Sequence, residues 1–257
     1  KAIEIRERKL GEEHPDTAIS YNNLALVYES QGEYKKAEGL YKKAIEIRER
    51  KLGEEHPDTA AGYNNLAGVY ASQGEYKKAE GLYKKAIEIS ERKLGEEHPD
   101  TAAIYNNLAL VYESQGEYKR AEGLHKKAIE ISERILGEEH PDTVVSYSNL
   151  AGVYASQGEY KRAEGLYKKA IEIRERKLGE EHPDTVVSYS KLAFVYYKQD
   201  EYKKALSYYQ KSYNILLLSL GQGHPNTQTV YENMKWVYSK RHSEGDFEKW
   251  LEENIKQ

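Results

Sequence analysis

The chain has 257 residues, a net charge of −4 with both signs interspersed, no cysteine and a mean hydropathy of −0.89. These values exclude a disulfide framework, a thiol nucleophile and a basic footprint for nucleic acid, and no apolar run reaches the roughly 18 residues of a membrane span. With 24 Tyr, two Phe, two Trp, one Met and about a third of residues charged, an elongated architecture is expected, since a single compact core needs more apolar side chains. The lack of Cys fits a reducing, cytoplasmic compartment.

In chain order, residues 1–10 read as the end of a helix, with Ala2, Ile3 and Leu10 at core positions. The pattern is already under way at Lys1. The N-terminal end is therefore expected to be the edge of a longer array, or to self-associate weakly end to end. From there His-Pro recurs at His14, His56, His98, His140, His182 and His224, always 42 residues apart, and these dipeptides hold all six prolines. A fixed period of 20–50 residues signals stacked repeats. The divisions are 1–13, a partial repeat, then 14–55, 56–97, 98–139, 140–181 and 182–223. A degenerate 224–257 closes the chain with a capping helix over about 246–256, and turns Phe247, Trp250, Leu251 and Ile255 inward.

Each unit predicts two helices. From Pro57, which suits a first helical turn, the run to Ser72 places Tyr63, Leu66, Ala67 and Tyr70 on one face. Either His56 or Asp58 suits the N-cap. Gln73-Gly74-Glu75 interrupts. A second helix from Tyr76 to about Leu94 carries Tyr76, Ala79, Tyr83, Ala86 and Ile87, and Gly95 closes it in a left-handed backbone. Alternating Tyr with Ala lets one helix's ring fill the space beside the next helix's small residue. One buried-stripe position of this second helix departs from Tyr, at His125, read as a core variant.

The order Tyr63, Leu66, Ala67, Tyr70, Gly74, Tyr76, Ala79, Tyr83, Ala86 resembles the tetratricopeptide (TPR) signature. A TPR ends its second helix with Pro after 34 residues. Here Glu91 stands at that place and the helix runs on, as in the 42-residue repeats of kinesin light chains and their microbial relatives. The resemblance implies an all-α, right-handed superhelical solenoid of stacked hairpins that works as a protein-interaction scaffold. It extends to fold and binding mode, and kinesin association is not carried over. These residues hold no heptad segment like the one that joins light chains to their motor.

TPR first helices line a concave groove, so the resemblance assigns the face opposite Tyr21, Leu24, Ala25 and Tyr28 to an extended peptide. That face carries Asn22, Asn23, Leu26 and Glu29, then Asn64, Asn65 and Gly68, then Asn106, Asn107, Leu110 and Glu113. It continues through Asn149, Gly152, Lys191, Phe194, Tyr197, Lys198 and Asn233. The column Asn23, Asn65, Asn107, Asn149, Lys191, Asn233 offers amides suited to a peptide backbone; the other use for it is a bond to a neighbouring helix. Leu26 and Glu29 alternate with Gly68 and Ala71, and small residues there would open pockets. Negative charge from Glu29 and Glu113 falls early, basic Lys191, Lys198 and Lys240 late. The carboxylate clamp of chaperone-binding TPRs is matched in part, by Asn149 and Lys191.

The repeated His are one per unit, with no second ligand at helical spacing, so a loop or capping role is expected and no metal or cofactor. Pairs such as Glu54-Glu55 read as solvated loop, and no catalytic constellation stands out. The expected partner is a protein or peptide, without nucleic acid, membrane or enzymatic activity. The other reading is a structural, self-assembling array without a dedicated ligand.

Overall fold

The computed structural model describes residues 2–241 and 246–254, with the backbone alone at Ala2. Ile255 therefore lies outside the described residues, as does the side chain of Ala2. Thirteen helices and no strand are found among them. Two compact units divide the chain at 140/141.

The first unit opens with α1 (Ala2–Leu10) and continues with three antiparallel hairpins. These are α2 (Pro15–Ser30) with α3 (Tyr34–Leu52), α4 (Pro57–Ser72) with α5 (Tyr76–Lys93), and α6 (Pro99–Ser114) with α7 (Tyr118–Ile135). The second holds α8 (Pro141–Ser156) with α9 (Tyr160–Leu178), α10 (Pro183–Lys198) with α11 (Tyr202–Leu220), and α12 (Pro225–Arg241) with α13 (Phe247–Asn254). First helices are called A and second helices B.

The sequence HPDT builds the entry to the first five A helices, and HPNT that of α12. Nδ1 of His14, His56, His98 and His182 accepts the backbone N–H two residues on, at 3.1–3.2 Å, and His224 does the same for Asn226. His is thus the N-cap, Asp the first-turn acid, and Pro sits where no N–H is needed. The buried Thr closes the helix before: Thr17 Oγ1 donates to Gly11 O at 2.9 Å, and Thr59 and Thr101 repeat this on Gly53 and Gly95.

At the A-to-B turn Gly32 takes φ 75° and Glu33 N–H returns to Tyr28 O at 2.8 Å. The fifth repeat has Asp200 at this place with φ 61°, which Asp tolerates better than most residues. Gly39, Gly81, Gly123 and Gly165 lie exposed on the B helices with no atom within 4 Å of a Cβ, and nothing in the structure explains them.

Within these hairpins the core is small and repeated, and the preceding helix adds to it. Ala18, Tyr21, Ala44 and Ile47 cluster with Ile3 and Leu40 against them, and Ala102, Tyr105, Ala128 and Ile131 do so with Ile87 and Leu124. Leu10, expected in the stripe, is 46% exposed. It is the last residue of α1 and stands at the rim beside the loop, as Leu52 does at 37%. In α13 Phe247 and Leu251 are buried, Trp250 is half-buried, and Glu248, Glu252 and Glu253 face outward.

Two series of A-helix tyrosines bury their rings while their hydroxyls reach a carboxylate of the preceding helix. Tyr21 donates to Glu7 at 2.6 Å, Tyr63 to Glu49, Tyr105 to Glu91 and Tyr189 to Glu175 at 2.5 Å. A second series joins Tyr70 to Glu38 at 3.0 Å, Tyr112 to Glu80 at 2.9 Å and Tyr196 to Glu164 at 3.1 Å. Lysines of the following B helix stand over the first series of rings, with Lys85 at 4.2 Å from Tyr63 and Lys127 at 4.4 Å from Tyr105. Burial, and then the facing carboxylate, pushes the Tyr105 hydroxyl up to about 12.

On the B helices, His125 departs from the tyrosine of the stripe. It is wholly buried, its Nδ1 lies 2.8 Å from Asn106 Oδ1, and its Nε2 has no partner. An amide oxygen only accepts, so Nδ1 carries the proton. Burial pushes this imidazole down to about 4 from its ordinary 6.5. The folded chain therefore holds it neutral, and the associated stability, on the order of 3 kcal/mol, is complete above about pH 6.5 and drains away toward pH 4. Urea midpoints should accordingly fall more between neutral and mildly acidic pH in the protein than in His125→Tyr, which keeps the other titrating groups. Equal falls would mean that the ring protonates freely.

Candidate peptide-binding surface

The A-helix face opposite the buried stripe is solvent-exposed in both units. In the first it shows Ile19, Asn23 and Leu26 on α2, Ala61 on α4, and Ala103 and Leu110 on α6; Leu26 is 47% and Leu110 42% exposed. In the second it shows Val145 on α8, Val187, Lys191, Phe194 and Lys198 on α10, and Asn233, Trp236 and Lys240 on α12, with Asn149 and Gly152 half-buried.

The asparagines divide into two kinds. Asn65 Nδ2 donates to Asn22 Oδ1 at 3.0 Å, and Asn107 Nδ2 donates to Asn64 Oδ1 at 2.9 Å. Asn64 Nδ2 in turn donates to Asn65 Oδ1 at 3.2 Å, and Asn106 Oδ1 meets His125. These amides connect one repeat to the next or brace a hairpin. Asn22, Asn64 and Asn106, expected to face a ligand, turn toward the adjoining helices instead. Of the ladder in the first unit, Asn65 and Asn107 spend their donors on the preceding A helix, and only Asn23 is exposed.

The acidic and small positions of this face also serve the scaffold. Tyr41 donates to Glu29 Oε2 at 2.9 Å. A Cβ on Gly68 would meet Glu29 Oε1 and Tyr83 Oη, both at 3.6 Å. So Gly68 opens no pocket: the space over it is taken by the preceding repeat's carboxylate and its own hairpin's phenol. Burial, with the Glu29 charge second, pushes the Tyr83 hydroxyl up. Glu29 thus accepts from Tyr41 and places its charge near Tyr83. Glu29 and Glu113 are both half-buried.

Basic and aromatic residues gather in the second unit. Phe194 is 43% and Trp236 55% exposed. Trp236 Nε1 donates to Tyr197 Oη at 2.9 Å, which fixes the indole. Lys240 stands 4.6 Å over Trp236, and Lys198 5.3 Å over Phe194 and 5.7 Å over Tyr197. The Phe194 and Tyr197 rings lie 6.5 Å apart. Trp236 stands in the same column as Leu26 by the 42-residue register.

Among the described residues no cluster of three or more His, Asp or Glu could hold a metal, and no helix is long and apolar enough to cross a membrane.

Paired helices repeating every 42 residues, each pair burying its stripe on the next, define a helical-hairpin repeat protein. The tetratricopeptide repeat family matches residues 1–50, 23–92, 58–134, 100–176, 146–217 and 184–244, and the chain belongs to that family. Similar solved structures include BtubC (BKLC) from P. vanneervenii, at 29% identity over 87% of this chain and 89% of that one, with a TM-score of 0.72. A Podosopora anserina protein of nearly identical TPR-like repeats, assigned to the kinesin light chains, shares 27% identity over 80% of this chain and 98% of its own, with a TM-score of 0.67. Apo RapI, at 21% identity over 87% and 84% and a TM-score of 0.67, shares the fold. No curated protein matches. The chain is therefore a TPR scaffold with kinesin light chain-like neighbours, of a fold that is typically non-enzymatic and generally engages protein partners.

The amide bonds between repeats yield a measurable consequence. Asn65→Ala or Asn107→Ala should each lower unfolding free energy by about 1 kcal/mol in urea titrations. Unchanged midpoints would return these amides to the role of ligand contacts.

Proposed function

We propose that this protein is an interaction scaffold that holds an extended, acidic segment of a partner protein on its A-helix face, centred on α10 and α12. The observation that carries this reading is the cluster of Phe194, Tyr197, Trp236, Lys198 and Lys240, in which Phe194 and Trp236 remain about half exposed. Exposed aromatic surface is costly in water unless it serves an interface. The rings give flat apolar contact at small entropic cost, and the ammonium groups beside them attract carboxylates. Neighbouring Lys191 and Asn233, both exposed, extend the surface with a charge and an amide. In the first unit, taken by itself, the A-helix face shows the exposed amide and aliphatic groups of Asn23, Leu26 and Leu110.

A peptide array of short acidic, neutral and basic segments, read with the purified chain, tests this. Acidic segments carrying apolar residues should bind, with affinity falling as salt rises. Trp236→Ala combined with Lys198→Glu should lower that binding about tenfold or more, with helicity unchanged because both side chains are exposed. Equal binding to the double variant, or binding confined to basic segments, would overturn the assignment.

A further inference from the structure

The hydrogen-bonding capacity of the aromatic cluster on α10 and α12 is one-sided. Trp236 Nε1 donates to Tyr197 Oη at 2.9 Å, so the indole has spent its single donor. Tyr197 accepts that bond, and its own proton meets no acceptor among the described residues. Tyr202, whose ring stands 6.1 Å from that of Tyr197, donates instead to Asp200 Oδ1 at 2.6 Å. Beside the rings stand the ammonium groups of Lys198 and Lys240, which can donate but not accept. Ser239 turns its proton back onto Trp236 O at 2.8 Å. Asn233 contributes one exposed amide that both donates and accepts.

An extended segment lying across these residues finds donors for its carbonyls and carboxylates, but little to receive its backbone N–H groups. The described residues hold no strand whose edge could pair with it. A backbone N–H covered without an acceptor costs free energy. Proline removes that cost because it has no N–H. Proline-containing chains adopt the polyproline II helix, which has no internal hydrogen bonds and brings every third side chain to one face. Such a segment is extended before it binds, so less entropy is lost, and its pyrrolidine rings pack on aromatic surfaces. Phe194 and Trp236 supply those surfaces.

We propose, resting on the reading of this face as the partner site, that its ligand is a proline-containing acidic segment in the polyproline II conformation. The prolines lie against Phe194 and Trp236, a backbone carbonyl accepts from Tyr197 Oη, and acidic side chains face Lys198 and Lys240. The bond received from Trp236 polarises the phenol and strengthens it as a donor. Tyr197 is then the residue that distinguishes a proline-containing segment from other acidic ones, because it meets the carbonyls such a backbone presents without N–H groups.

The probes are two fluorescein-labelled, C-terminally amidated peptides of equal charge, one of three Asp-Pro-Pro triplets and one of three Asp-Ala-Ala triplets. Each is titrated with the full chain in fluorescence anisotropy. The proline peptide should bind about tenfold or more tightly than the alanine peptide, and Tyr197→Phe should weaken it severalfold. Equal or tighter binding of the alanine peptide would overturn the proposal and leave the acidic reading of the face standing. So would a Tyr197→Phe variant, helical by circular dichroism, that binds the proline peptide unchanged. Saturation of neither peptide up to roughly 1 mM would overturn the proposal and the acidic reading together.

Discussion

The interaction on which the array depends is the hydrogen bond from a buried tyrosine to a glutamate of the helix before it. A repeat of paired helices has limited apolar surface, and its largest fully buried side chains are tyrosines. Burying the ring sets the hydroxyl at the rim of the joint, where an unmet donor would cost 1–3 kcal/mol. A carboxylate meets it there, and a lysine of the next B helix stands over the ring. Each joint therefore combines packing, a charge-assisted hydrogen bond and a cation over an aromatic face. Because these operate between nearest neighbours only, stability accumulates repeat by repeat.

This also gives the longer B helix a purpose. Where a shorter repeat turns at proline, this chain continues through Glu49, Glu91 and Glu175, and those residues accept from Tyr63, Tyr105 and Tyr189. One residue earlier the chain balances size across the same joint. Arg174 is buried and donates to Ser148 and Ser188, and Arg48 reaches Asp58 O beside Gly62, where a Cβ would come within 2.8 Å of Ile45. In the second repeat the arginine is replaced by Ser90, and Ile104 occupies the place of the small residue, so large and small exchange sides at that joint.

Much of this was legible in the sequence. His-Pro spacing and the Tyr/Ala stripe define helix number, order and partner, because strong periodicity and proline leave few alternatives. The capping role of His and the left-handed Gly95 follow from local backbone chemistry and are found so. The A-helix face was harder to read. Helical geometry places Asn65, Glu29 and Gly68 on the side away from the core stripe, but that side is not all solvent. Side chains reach sideways to the adjoining repeat, and a bond such as Asn65 to Asn22, 43 positions apart, leaves no trace in local pattern. Where the repeat diverges, at Phe194, Lys198 and Trp236, the face carries exposed aromatic surface.

Scaffold and proposed binding surface are thus drawn from the same helices by different residues. Repeated positions hold the stack, and divergent ones carry the exposed aromatic surface proposed to meet a partner. The central claim is that Tyr-to-Glu bonds couple adjacent repeats energetically. A double-mutant cycle with Tyr63→Phe and Glu49→Ala, read by urea unfolding, tests it most directly. A coupling energy of about 1 kcal/mol or more is expected for partners in contact. Additivity within roughly 0.3 kcal/mol would contradict the account and leave the joints to packing alone.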